Sequence, residues 1–231
     1  DRFMSYINKT DETNASNIIM NHLSVFAQAA PKMIVAKIEK DDKWIFSLFK
    51  QLPSDERCSN ILVALGKLIF YSESAVSACR ILFQLYQSDQ NKFRESNSPY
   101  SLLLDALCFI NTYSPLPIRQ KVDLLLSFLK NDSYLGGKLI IGILNKNGVW
   151  LTSKYGRIGH YRETALSYAE YFRAIEEIAE PCLRHFISVN DIESIIGIFD
   201  CHANYRPQFL THLASLLDGN SIDDASLAKL N

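Results

Sequence analysis

Apolar residues recur along this chain at the spacing of an α-helix. Ile61, Leu62, Leu65, Leu68 and Ile69 follow an i, i+1, i+4, i+7, i+8 pattern, which paints one side of a helix. Ile118, Val122, Leu125, Leu126 and Leu129 repeat it, as do Leu135, Leu139, Ile140, Ile143 and Leu144. Ala165, Ala169, Phe172, Ile175 and Ala179 form a further stripe, and Ile192, Ile195, Ile196 and Phe199 precede Phe209, Leu213, Leu216 and Leu217. The sequence has no comparable run of strict alternation and no hairpin dipeptide between β-branched segments. Asp218-Gly219 follows a leucine stripe, where glycine reads as a helix C′ residue.

The punctuation between the stripes agrees. Ser98-Pro99 and Ser114-Pro115 each place a hydroxyl ahead of a proline at the expected first helical position. Asn190 with Glu193, and Ser221 with Asp224, have the offset of a capping box. Ser54, Ser74, Asp132 and Asn204 are further helix starts, and Pro181 reads as opening a new helix. The pattern predicts an all-α chain of about ten to twelve short antiparallel helices.

Helix starts near 54, 74, 98, 114 and 132 make helix pairs recur at about 35 to 45 residues. In that period, and in its apolar helices joined by short polar turns, the chain resembles α-solenoid proteins of the HEAT and armadillo kind over residues 41–147 and 161–217. The tetratricopeptide signature is absent. The resemblance implies an irregular α-solenoid that binds other proteins; a multi-helix bundle has the same local pattern. Asn145 to Arg162 breaks the rhythm and is long for a connection. We therefore expect an N-terminal helical part over 1–147, a long loop over 148–160 and a C-terminal helical part over 161–231, forming one continuous helical domain. The chain opens on Asp1-Arg2-Phe3-Met4, with neither an initiator Met nor an apolar signal core, so it reads as processed or as part of something longer. Phe3, Tyr6 and Ile7, ahead of any clear helix, read as a docking segment.

Composition narrows the function classes. Hydrophobic residues make up 48% of the chain and charged residues 21%, which excludes a disordered or collagen-like polymer. With Lys+Arg 24 against Asp+Glu 25 the net charge is −1, so no global field points to nucleic acid or an anionic membrane. No stretch has the length of uncharged apolar sequence that a membrane span needs. Cys58, Cys79, Cys108, Cys182 and Cys201 are odd in number and scattered, which points to a reducing, cytoplasmic compartment. Sequons at Asn8, Asn14 and Asn131 do not alter that reading. Free use of Ile, Asn, Lys and Ser fits an AT-rich genome, and an effector delivered into a host cell is one such source.

Three groups of residues carry candidate chemistry. In the long loop Lys154, Arg157, His160 and Arg162 interleave with Tyr155 and Tyr161, and Trp150 lies just upstream. Cations and aromatic faces together suit an acidic peptide, a phosphate or RNA, and are the residue types of protein–protein hot spots. Gly156-Arg157-Ile158-Gly159 has the GxxG form of KH domains, which need strands not readable here. The plain alternative is a loop pinned to the core by Trp150, with solvated charges.

Cys182-x-x-His185 followed by Cys201-His202 has zinc-ligand chemistry, with His202 completing the weak candidate set. Neighbouring Cys201 and His202 diverge on a helix, and Cys182 and His185 sit among Leu183, Phe186 and Ile187, so core packing is the better account. Glu176, Glu177 and Glu180 cluster on one helix, where glutamates ordinarily face water. Gly136-Gly137-Lys138 resembles a phosphate loop but lacks its upstream glycine and its Ser or Thr. With no catalytic motif in view, the expectation is a protein–protein interaction or scaffold domain. It would have no cofactor and no resident metal, and would present a groove between stacked helices with the loop supplying anchors. Nucleic-acid, phosphate or headgroup binding through residues 154–162 is the alternative, and a helical accessory domain of an enzyme is the third.

Overall fold

A computed structural model describes residues 22–40, 55–88, 98–109, 114–145, 167–189, 191, 194–195 and 197–198. Among these residues there are eight helices and no strand, against the ten to twelve helices expected. They fall into two compact units, one reaching to Ala106 and the other taking up the chain from Leu107 and again from Pro117.

The first unit holds α1 (22–29), α2 (Pro31–Lys40), α3 (Asp55–Leu68), α4 (Ser72–Ser88) and α5 (Pro99–Leu107) up to Ala106. Ala30 joins α1 to α2 as a bend in one helical path. Its N–H donates to the Phe26 carbonyl at 2.8 Å, and its own carbonyl accepts from Ile34 at 3.2 Å. Pro31 brings no N–H to this turn, and the neighbouring Gln28 carbonyl accepts from the Tyr71 hydroxyl at 3.2 Å. Leu23, Ala27, Ile34, Val35 and Ile38 turn inward, and α2 and α3 each pack on α4.

The predicted stripe Ile61, Leu62, Leu65, Leu68 and Ile69 is buried throughout. Ser74 lies inside the first turn of α4 rather than at its start. Its fully buried hydroxyl donates to the Leu68 carbonyl at 2.6 Å and ties off the end of α3. Ser98 caps α5 as expected: the Ser101 N–H donates to its hydroxyl at 3.1 Å.

Ser114 behaves differently. Its hydroxyl accepts from the Leu116 N–H at 3.2 Å within a local turn, and no helix starts at Pro115. The second proline explains the delay, because a residue before proline is pushed out of the helical region. Leu116 is that residue, and Pro117 becomes the N-cap of the next helix, with φ −57°, ψ 150° and no side-chain cap.

The second unit is built on α6 (Ile118–Asn131), α7 (Ser133–Asn145) and α8 (Tyr168–Ser188), each packed on the other two. The lone linker Asp132 serves two helices. Its N–H donates to the Phe128 carbonyl at 2.9 Å, and its carboxylate accepts from the Leu135 N–H at 3.0 Å. The predicted stripe Leu135, Leu139, Ile140, Ile143 and Leu144 is buried. The α6 stripe is rotated from the prediction. Ile118 and Leu126 are half-buried, whereas Lys121, Leu124 and Phe128 are buried with Val122, Leu125 and Leu129. Two helices cover α6, so its buried face is wider than one stripe.

α8 opens with a capping box made by Ser167 and Glu170. Ala169 of its predicted stripe is exposed. Pro181 does not open a new helix; it lies inside α8. It removes one i→i−4 bond, but Ile178, Ala179, Cys182, Leu183, Phe186 and Ile187 are buried on both sides of it and carry the helix through. One helix thus runs where the proline was expected to separate two.

Candidate functional site

Trp150, Lys154, Tyr155, Arg157, His160, Tyr161 and Arg162 lie outside the described residues, as does His202. The described structure holds the two helices that flank the loop in sequence, α7 and α8. Gly137 lies at their contact, and the adjacent Gly136 lies where α7 meets α6. A Cβ placed on Gly136 would lie 2.5 Å from the Leu129 nitrogen of α6, and one on Gly137 would lie 2.5 Å from the Phe186 ring of α8. The glycine pair of the phosphate-loop look-alike is thus the point where α7 meets both neighbours.

Cys182 belongs to the same contact. It is fully buried, its thiol donates to the Gly137 carbonyl at 3.6 Å, and burial pushes its pKa up to about 12. A zinc ligand must be a thiolate, and this environment favours the protonated thiol. His185 is half-buried, with its ring 5.2 Å from that of Phe186. Among the described residues no group of three or more His, Cys, Asp or Glu could hold a metal ion.

Two of the α8 glutamates, Glu177 and Glu180, pair with arginines at the surface. Glu177 takes both its oxygens to one Arg119 nitrogen, at 2.7 and 2.8 Å, while Arg119 also reaches Asp123 at 3.0 Å. Glu180 pairs with Arg184 one turn on.

Two polar groupings were not singled out from sequence. Lys121 is only 2% exposed, and its ammonium donates to the Cys108 carbonyl at 2.9 Å. The signal is visible in retrospect: Lys121 stands at i to Leu124, Leu125 and Phe128 at i+3, i+4 and i+7, a cation written onto an apolar face. The second grouping follows α8. The Asp191 carboxylate accepts from the Ser194 N–H at 3.1 Å and from the Ser194 hydroxyl at 2.7 Å. The cap therefore falls on Asp191, one residue beyond the predicted Asn190. Lys138 of α7 donates to the same hydroxyl at 2.9 Å and lies 4.0 Å from the Asp191 carboxylate, with its ammonium 5.5 Å from the Tyr134 ring centre. Ser194 is 2% exposed, so this clasp ties α7 to the chain after α8 rather than offering a nucleophile.

Burial raises the Asp191 pKa, but the Ser194 hydrogen bonds, with Lys138 and His185 nearby, outweigh it and leave the net value below the ordinary 3.8. A depressed carboxylate stabilises the fold above its unfolded pKa, and that contribution disappears as pH falls through the folded value. Urea midpoints recorded from pH 6 down to pH 2.5 will therefore show wild type above Asp191→Asn at the neutral end, with the gap closing below about pH 4. A gap independent of pH removes the carboxylate from the clasp's energetics.

No family model matches the chain, and neither a curated protein nor a solved structure is significantly similar to it. Among the described residues no helix is long and apolar enough to cross a membrane.

Proposed function

We propose that the chain is a protein-binding helical domain in which an irregular solenoid of short helices presents a groove and the loop around 148–162 supplies the anchors. The observation that carries this reading is the α7–α8 contact. The segment with the densest mixture of cations and aromatic residues connects two helices locked together through Gly137, Cys182 and Phe186. Recognition residues placed between rigid elements lose less entropy on binding than the same residues on a free tail. Trp150, Tyr155, Arg157, Tyr161 and Arg162 are the anchor types that dominate protein interfaces. Cys79, Cys108 and Cys182 are buried and form no disulfide, which fits the reducing compartment expected for the chain.

The test is affinity purification with mass spectrometry on wild type and Arg157→Glu/Arg162→Glu, with and without nuclease. A nuclease-resistant protein partner recovered by wild type and lost by the variant, whose circular dichroism is unchanged, is the expected result. Nuclease-sensitive recovery that weakens steeply between about 50 and 200 mM salt transfers the site to nucleic acid. Recovery unaffected by the double change removes the loop from the interface.

A further inference from the structure

The helical path of α1 and α2 leaves an unusual outer face. Its exposed positions are His22, Val25, Gln28, Ala29, Lys32, Met33, Ala36 and Lys40. Val25, Ala29, Met33 and Ala36 fall at intervals of four, four and three, which keeps them on one side of the path. Val25 is 55% exposed and Met33 45%, so the apolar positions of this stripe lie open. Ala29 and Ala36 are seven residues apart, where short side chains let a second helix approach closely. Lys32 borders the stripe and Lys40 ends it, and neither makes an ion pair among the described residues. From 22 to 40 the sequence holds three lysines against one acidic residue, Glu39.

The geometry points to a docking seam for an acidic amphipathic helix of a partner protein, laid along Val25, Ala29, Met33 and Ala36 with its carboxylates toward Lys32 and Lys40. Charge selects this occupant. A second copy of the seam would bring lysines against lysines with almost no acid to oppose them. An anionic membrane would need the large apolar residues, but Leu23, Ile34, Val35 and Ile38 face the core and leave a stripe one helix wide. The seam shares no residue with the segment 150–162, and the proposal stands whether or not that segment binds.

The test displays on yeast a library of amphipathic helices about 15 residues long, with random flanking positions, and selects it on the full chain. The expected winners carry Asp or Glu at their flanks. They bind Lys32→Glu/Lys40→Glu at least about tenfold more weakly, and versions with Lys in place of Glu recover binding to that reversed chain. Ala36→Arg, also at the surface, blocks both. Winners without acidic bias, or winners that bind the reversed chain unchanged, overturn the proposal. So does loss of binding to Arg157→Glu/Arg162→Glu while Lys32→Glu/Lys40→Glu still binds, which places the helices on residues 150–162. Sedimentation of the chain with phosphatidylserine vesicles, or self-association abolished by Met33→Glu, assigns the stripe to a membrane or to a second copy and likewise overturns it.

Discussion

Gly136→Ala will destabilise the second unit by about 2–4 kcal/mol, although the same change in an open helix stabilises by about 1 kcal/mol. The new methyl carbon would meet the Leu129 nitrogen at 2.5 Å, the Leu129 Cα at 2.6 Å and the Phe128 carbonyl carbon at 2.7 Å. All three are backbone atoms of α6, so no rotamer change relieves the overlap. α6 and α7 must separate, which loosens the packing of Phe128 and Leu129. Helix propensity and packing thus predict opposite signs. Urea denaturation followed by far-ultraviolet circular dichroism decides between them: a midpoint equal to or above wild type shows that the helices do not meet at Gly136.

Gly137→Ala tests the other side of α7. Here the obstacle is a side chain, with the Phe186 ring atoms at 2.5 and 2.7 Å from the added carbon. Phe186 is completely buried, so its ring has no solvent to swing into, and the single change will cost about 1–3 kcal/mol. Phe186→Leu alone will cost a comparable amount, by leaving a cavity. Together they fill and vacate the same space. The double variant will lose less than the sum of the singles by about 1–2 kcal/mol, whereas residues that do not touch add within a few tenths. Strict additivity in a double-mutant cycle separates the two residues and with them the α7–α8 contact on which the proposed presentation of the loop rests.

The helical nature of the chain was legible from residue spacing alone. The stripes at 61–69 and 135–144 are buried as predicted, and Ser98 and Asp132 cap the helices they precede. These features depend on a few neighbouring residues, which is why sequence reveals them. Prolines are less legible, because their effect depends on what surrounds them. Pro117 forces Leu116 out of the helical region and delays α6, whereas Pro181 is absorbed into α8 by buried residues on both sides. The segment 148–162 is legible in the sequence only as chemistry: its residue types are in view, while the packing of α7 against α8 through Gly137, Cys182 and Phe186 is not.

What the sequence determined by itself was the all-helical class, the turns with local caps and the inward faces of helices that meet a neighbour on one side. Tertiary structure decided the rest. It converted a glycine pair resembling a phosphate loop into the close approach of three helices. It gave Cys182 a packing place beside Gly137 and drew Lys121 into the interior toward the Cys108 carbonyl. The physical reason is distance along the chain. A cap or a stripe is set by residues a few positions apart, whereas Gly137 and Cys182, 45 residues apart, acquire their roles only when packing brings their helices together.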